Sequence, residues 1–373
     1  MRLKWQSMVA VLSLSLLFGG CRTAALKIEV PTRSARDFVP QTQYRNPVQK
    51  TKALENFVQD KLLTSQGIYT NPFVKTEKSE KANGRQMLLE SSGLWLNYLA
   101  WHHRYAAFRS FYASTKRIFD QQTQFSYRYD PTTRQKSDVN ATIDDLRVIR
   151  ALQSYAYLTK SARYAKEAAK RFALLRQHLL VKGKLVDFYD SRSHQASTTS
   201  SLAYYDLKTL SFFQSTTAAD RASYRKQLKL VESGYLGDAF PLYAASYQWQ
   251  TMSYSTQDLN TSEALLTLLH LAEVNRLKAS SLAWLQLRVK TQTLYNRYAV
   301  SGEVVNQGQS TANYAIAAMI FAQEGKKSWY QKAMTIVWER QNHTSFLAGG
   351  FGDPKTRSTY AFDNLEVLLA SSY

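Results

Sequence analysis

Residues 87–101 read MLLESSGLWLNYLAW, a run of large apolar side chains broken by Glu90-Ser91-Ser92-Gly93. A run of this length and continuity reads as a helix buried on most of its faces. A carboxylate inside it loses hydration, which costs several kcal/mol unless something compensates. Two compensations fit. Glu90 pairs with a buried Arg or Lys or caps the helix start, or an apolar pocket raises its pKa and keeps it protonated near neutrality as a general acid. Ser91, Ser92 and Gly93 add weight to the second by leaving room for a substrate at the helix start.

Periodic apolar runs continue on both sides. Leu54, Phe57, Val58 and Leu62 recur at helical spacing, and similar runs lie near 105–119, 143–158, 163–179, 203–214 and 218–233. Others follow near 261–274, 280–297, 310–323, 328–340 and 362–371, giving about twelve helices. Turn signals separate them at 129–138 (YDPTTRQKSD), 190–200 (DSRSHQASTTS) and 347–358 (LAGGFGDPKTRS), and FSYRY at 125–129 reads as part of a minor hairpin. With only 14 Gly and 7 Pro in 373 residues, a turn-rich sandwich is disfavoured. The pattern predicts one all-α domain over 51–373, either a solenoid of helix pairs or an (α/α)6 barrel. No 34- or 40-residue signature repeats to favour the solenoid.

The 45% hydrophobic content is enough for a substantial core. The formal charge of +20 implies attraction to polyanions, and compartment decides which kind. The chain opens MRLKWQSMVAVLSLSLLFGGC, with Arg2 and Lys4 before the apolar run Met8–Phe18. These eleven residues are too few to span a bilayer, which takes about 20, and they fit a secretory signal over 1–20. Cys21, the only cysteine, follows Phe18-Gly19-Gly20 in a pattern that resembles the lipobox of bacterial lipoproteins. That resemblance implies lipidation of Cys21, a tether over 21–50 and an extracytoplasmic protein anchored to the membrane. Without residues 1–20 the charge stays near +18, so anionic lipid or cell-envelope polymers are the expected polyanions rather than nucleic acid.

Several chemistries lack their residues. The six histidines form no HExxH or other metal-ligand spacing, and there is no GxSxG elbow, P-loop or dinucleotide turn. No metal or other cofactor is expected. Carboxylates remain: Glu90, and Asp144 and Asp145 in NATIDDLRVIRAL at 140–152. Thr142 with Asp145 three residues on reads as a helix cap, and both aspartates would complement the helix dipole. An acid at a helix start is also held rigidly at the edge of a cavity.

These segments resemble the family 8 glycoside hydrolases, which are (α/α)6 barrels. Their general acid lies in a Ser-Glu-Gly-x-Gly-Tyr-Gly-Met stretch, of which LESSGLWL keeps Glu90 and Gly93. ATIDDL matches their Ala-Thr-Asp-x-Asp-Leu at Ala141, Thr142, Asp145 and Leu146, which assigns Asp145 to holding the sugar at the cleavage point. SSLAYYDLKTL at 200–210 is similar to their Ser-Pro-Ala-Tyr-Tyr segment, and STYAFDNLEVLLA at 358–370 to their closing helix. Their base lies in an Asp-Ala-x-Arg segment. Asp238-Ala239 fits the dipeptide with Pro241 in place of Arg; a shifted alignment puts Gln248 at the acid's position, and Asp258 is a further candidate. Trp95, Tyr127, Tyr189, Tyr205 and Tyr360 are candidates for stacking on sugar rings, each equally suited to ordinary core packing.

The resemblance implies an inverting glycosidase that cleaves a β-linked polysaccharide, such as an exopolysaccharide of its own cell, with Glu90, Asp145 and Asp238 as catalytic residues. A non-catalytic polysaccharide-binding or assembly lipoprotein that retains the barrel is the alternative.

Overall fold

A computed structural model describes residues 26–74, 82–181 and 183–373. The expected signal and Cys21 therefore lie outside the described residues. The helical periodicity is realised as α1 (Val48–Phe57), α2 (Leu89–Trp101), α3 (Tyr105–Phe119), α4 (Thr142–Thr159), α5 (Ala162–His178) and α6 (Leu207–Phe213). The second half holds α7 (Ala218–Ser233), α8 (Thr261–Ala272), α9 (Ala279–Thr291), α10 (Thr311–Gln323), α11 (Lys327–Glu339) and α12 (Ala361–Ala370).

Even-numbered helices pack on one another in succession. α2 lies on α4, α4 on α6, α6 on α8, α8 on α10, α10 on α12, and α12 returns to α2. Their sequences explain the placement: TANYAIAAMIFAQ in α10 is apolar on every face, and everything from Ala312 to Ala322 is buried. The odd-numbered helices are amphipathic and cover the outside. α5, for example, buries Ala168, Ala169, Phe172 and Leu175 while exposing Arg163, Lys166 and Lys170.

Short antiparallel strands precede α2, α4, α6, α8 and α10. β1 (Met87–Leu88) pairs with β2 (Arg128–Asp130), and β2 with β3 (Gln135–Lys136), one residue beyond the expected FSYRY hairpin. A similar hairpin at Tyr189–Asp190 and Gln195–Ala196 precedes α6. In both, the aspartate accepts turn N–H groups: Asp130 from Thr132 at 2.9 Å, Asp190 from Arg192 at 2.8 Å. The Tyr-Asp pair followed by Gln is thus a recurring local unit, shorter than a solenoid signature.

The described part of the expected tether is packed rather than free. Phe38 is 2% exposed and sits edge-on to Phe212 at 5.0 Å. Its carbonyl accepts Trp101 Nε1 at 3.0 Å and Ser154 Oγ at 3.1 Å, and Lys208 Nζ donates to Asp37 O at 2.9 Å. The apolar residues of RSARDFVP, spaced too irregularly to read as an element, dock as a strap. Beneath it Arg150 pairs with Glu273 and with Asp206 at 3.4 Å, while Lys208 stands 3.6 Å from Glu273.

Candidate active site

The first turns of α2, α4 and α8 meet at a cavity of about 460 Å³. Glu90, Asp144 and Glu263 line it, with Arg147 at its base and Tyr204, Asn260, Ser262, Tyr360 and Phe362 around it. Helix starts concentrate unpaired backbone N–H groups and a partial positive charge, so carboxylates belong there.

Glu90 is aimed by the join between β1 and α2. Leu88 is extended, Leu89 N–H donates to Tyr127 O at 2.9 Å, and Glu90 falls in the first helical turn. A quarter of its side chain is exposed to the cavity. Burial pushes its pKa up to about 7; Arg147 opposes the shift, and Asp144, Glu263 and Asp363 add to it. Arg147 Nη1 lies 3.5 Å from Glu90 Oε2 and 2.7 Å from Asp144 Oδ1. Glu90 thus has a buried cationic neighbour, and burial still raises its pKa. Burial likewise lifts Asp144 to about 6, against the pull of Arg147.

Gly93 serves a different purpose from the one expected. A Cβ there would fall 2.7 Å from Arg147 Cβ, so the glycine lets α2 approach α4 and brings Arg147 under Glu90. Asn97 Nδ2 ties the same contact, donating to Gly93 O at 2.9 Å and Arg147 O at 3.2 Å. Ser91 and Ser92 are buried and do not line the cavity.

The cavity takes Asp144 where the motif alignment assigned Asp145. Consecutive helical residues diverge by about 100°, so only one can face inward. Asp145 points away: it accepts Asn140 Nδ2 at 2.6 Å and Phe125 N–H at 3.2 Å, while Asn140 Oδ1 accepts Tyr189 N–H at 2.7 Å. It is a brace between loops. Asp238 also lies off the cavity, exposed in the segment after α7, where it accepts Tyr235 Oη at 2.6 Å. That hydrogen bond, with Ser280 and Lys278, holds its pKa below the ordinary value.

Among the expected aromatic residues Tyr360 lines the cavity, 40% exposed. Tyr205 is 1% exposed and donates to Leu185 O; its neighbour Tyr204 takes the cavity position. Trp95 is buried against Tyr98, Tyr189 stacks on His178 at 4.3 Å, and Tyr127 lies beneath the Arg128 guanidinium.

Glu263 escaped the sequence reading. It stands in the first turn of α8, exposed, with Asn260 Oδ1 capping its N–H at 3.3 Å. Glu263 is followed by Ala264, and the Asn260 cap is the local signal that marks the helix start on which it stands. A polar groove of about 630 Å³ continues from the cavity, sharing Asn260 and Glu263 and adding Ser201, Gln248, Asp258 and Arg297. Gln248 and Asp258 thus sit along the groove rather than in the cavity. Asp187, lifted by burial to about 6, accepts Ser201 N–H at 2.6 Å at the groove edge. The one group of ligand-type side chains within reach of a shared ion among the described residues is Asp206, His270 and Glu273. Arg150 and Lys208 already neutralise its carboxylates, which leaves no demand for a cation.

The arrangement of helices is similar to that of solved glycoside hydrolases. A family 8 glycosyl hydrolase, endoglucanase Cel10 from Klebsiella pneumoniae, shares the fold with a TM-score of 0.61 at 15% identity, over 86% of this chain and 98% of that one. A novel alpha-amylase from Clostridium perfringens superposes with a TM-score of 0.81 at 28% identity, over 88% and 98% of the two chains. In sequence, the chain is 27% identical over 324 residues to the protein of Bacillus subtilis (strain 168) named putative lipoprotein YdaJ, covering 85% of each. No protein-family model matches the chain.

Proposed function

We propose that the protein is a glycoside hydrolase built as an (α/α)6 barrel and anchored outside the cytoplasmic membrane through lipidated Cys21. It cleaves an exopolysaccharide by single displacement. The observation that carries this reading is the gathering of Glu90, Asp144 and Glu263 around one cavity, with Glu90 held near neutrality. In the proposed mechanism Glu90 protonates the leaving oxygen and Asp144, fixed by Arg147, holds the sugar ring. Glu263, on the α8 side, activates water, replacing Asp238 in that role. Inversion requires acid and base about 6.5–9.5 Å apart so that water fits between them. Tyr204 and Tyr360 offer ring faces for sugar stacking.

The family 8 resemblance supports a β-linked substrate. The likeness to an alpha-amylase supports a second reading, an α-linked glucan. The non-catalytic alternative is disfavoured by the acids that the cavity retains. Reducing-sugar release from a panel of β-glycans, starch-type α-glucans and cell-surface polymers tests all three, comparing wild type with Glu90→Gln. Turnover confined to one linkage class, lost in Glu90→Gln, supports the assignment; equal release by both proteins overturns the acid. Binding without turnover by either returns the reading to the binding lipoprotein. Release of the protein from membranes by Cys21→Ser tests the anchor.

A further inference from the structure

The first described residues fix where the chain leaves the domain. Leu26, Lys27 and Glu29 lie in a groove between the outer helices α5 and α7, against Phe172, Ala173 and Arg176. Ile28 packs on the core there. Cys21 precedes Leu26 by five residues, and extended chain covers at most about 3.6 Å per residue. A lipid on Cys21 would therefore hold this groove within roughly 18 Å of the membrane surface.

The exposed charges of the two helices beside the groove are predominantly basic. α5 exposes Arg163, Lys166 and Lys170 at spacings of three and four, a single stripe. α7 exposes Arg221, Arg225 and Lys229 at spacings of four, a second stripe. None of the six is in an ion pair among the described residues, whereas every acid on these helices is engaged elsewhere. Glu167 pairs with Arg171 and Lys116, Asp220 is buried against Arg176 at 2.6 Å, and Glu232 faces Arg276. Unpaired basic stripes are attracted to an anionic surface within a Debye length, about 8 Å at physiological salt.

We propose that the α5–α7 face docks on the anionic phospholipid surface to which the anchor ties the chain. The proposal rests on the lipid-anchor reading of Cys21. The glycan cavity opens at the N-terminal ends of α2, α4 and α8, an end of the helical assembly rather than this flank, so docking leaves it uncovered. The anchor supplies attachment and the basic stripes supply orientation.

Cysteine introduced singly at Lys170 or Arg225 gives a site-specific probe, because Cys21 is the only native thiol and lipidation blocks it. The lipid-anchored full chain is placed in phosphatidylcholine vesicles with or without phosphatidylglycerol and treated with a bulky maleimide. The same substitution at Lys290 or Lys332, exposed on α9 and α11, is the control. Labelling at 170 and 225 is expected to slow several-fold in the anionic vesicles only and to recover at high salt. Neutralising Lys166, Lys170, Arg225 and Lys229 to Gln, with the probe moved to Arg221, should abolish the protection. Neutralising Lys290, Lys326, Lys327 and Lys332, which removes equal charge elsewhere, should not. Equal labelling of all sites in an anchored chain overturns the docking face while leaving the anchor intact. Protection that follows added poly(glycerol phosphate) rather than lipid also overturns it, making the face a polymer site. If Cys21→Ser leaves the protein on membranes, the anchor reading fails instead. Sedimentation of that variant with the two vesicle types, with and without the α5–α7 neutralisations, then still tests the face: loss of anionic-lipid dependence supports it, and no change overturns it.

Discussion

The Arg147 guanidinium stands 3.5 Å from the Glu90 carboxylate and donates at the same time to Asp144 at 2.7 Å. One cation thus restrains two acids that burial drives toward their neutral forms. It opposes the upward shift of both carboxyls, Glu90 pushed up to about 7 and Asp144 to about 6. Groups whose environments separate their pKa values can divide the roles of acid and carboxylate between them.

A working general acid must be protonated, so activity should fall as pH rises through about 7, the value at which Glu90 ionises. Arg147→Gln removes the influence that lowers Glu90, so the alkaline limb of the kcat/KM profile should move upward. The same change weakens the hold on Asp144 and should lower kcat. Glycan hydrolysis followed from pH 5 to 9 checks both, and an unmoved limb would assign the ionisation to another group.

Asp144 and Asp145 are neighbours in sequence with opposite surroundings. Asp144→Asn should reduce turnover roughly 10²–10⁴-fold, with little change in the unfolding midpoint, since the amide keeps the shape and can still accept from Arg147. Asp145→Ala strands Asn140 Nδ2 and Phe125 N–H. Each buried group left unsatisfied costs about 1–3 kcal/mol, so the expected loss is in stability. Urea denaturation beside single-substrate kinetics separates the two outcomes.

The helices were legible because α8, α10 and α12 are rich in apolar residues and α3 and α5 keep a clear apolar stripe; α3 and α7 match the sequence reading to the residue. The place of Glu90 on the cavity was foreshadowed too, since small residues follow it in an otherwise large apolar run. What could not be read was helix azimuth. A one-residue step turns a side chain by about 100°, which separates Asp144 from Asp145 and Tyr204 from Tyr205. Glu263 was missed for another reason: an exposed acid in a first helical turn is the commonest kind of acid. The strap was missed because 33–40 has no periodicity, and only tertiary contact with Phe212 and Arg150 gives Phe38 its place.

Glu366, on α12, is 2% exposed, and burial lifts it to about 7, with Glu90 and Asp363 adding to the shift and Arg147 opposing it. Asp145 is lifted by burial to about 7 as well. Between the ordinary carboxylate range and about 7 the folded chain therefore binds more protons than the unfolded one, and stability falls as pH rises across that window. Glu273 works the other way: burial raises it, but Arg150 and Lys208 prevail and hold it well below its ordinary value, so its contribution is lost only in acid. The thermal midpoint should accordingly be higher near pH 5 than near pH 8. Glu366→Gln should flatten the decline, giving a variant more stable than wild type at pH 8 and no more stable at pH 5. A variant that loses stability equally at both pH values would show that Glu366 is ionised and satisfied throughout.

Gly93 sets the distance on which the Glu90–Arg147 pair depends. Its missing Cβ would lie 2.7 Å from Arg147 Cβ and 3.4 Å from the Arg147 carbonyl carbon. The first is nearer than side-chain carbons approach, and the atom it meets is the root of a buried side chain that cannot swing aside. Gly93→Ala must therefore separate α2 from α4 or displace Arg147. Overpacking of this kind typically costs about 1–3 kcal/mol, partly offset by the gain in helix propensity of about 1 kcal/mol from replacing Gly with Ala. Activity should suffer more than stability, because a small shift of Arg147 removes its hold on both acids, whereas the core can absorb part of the strain. The expected result is a modest drop in the unfolding midpoint with a larger fall in kcat and an upward move of the alkaline limb, the direction set by a more distant cation. Unchanged kinetics in a folded Gly93→Ala variant would show that the cavity does not depend on the α2–α4 spacing.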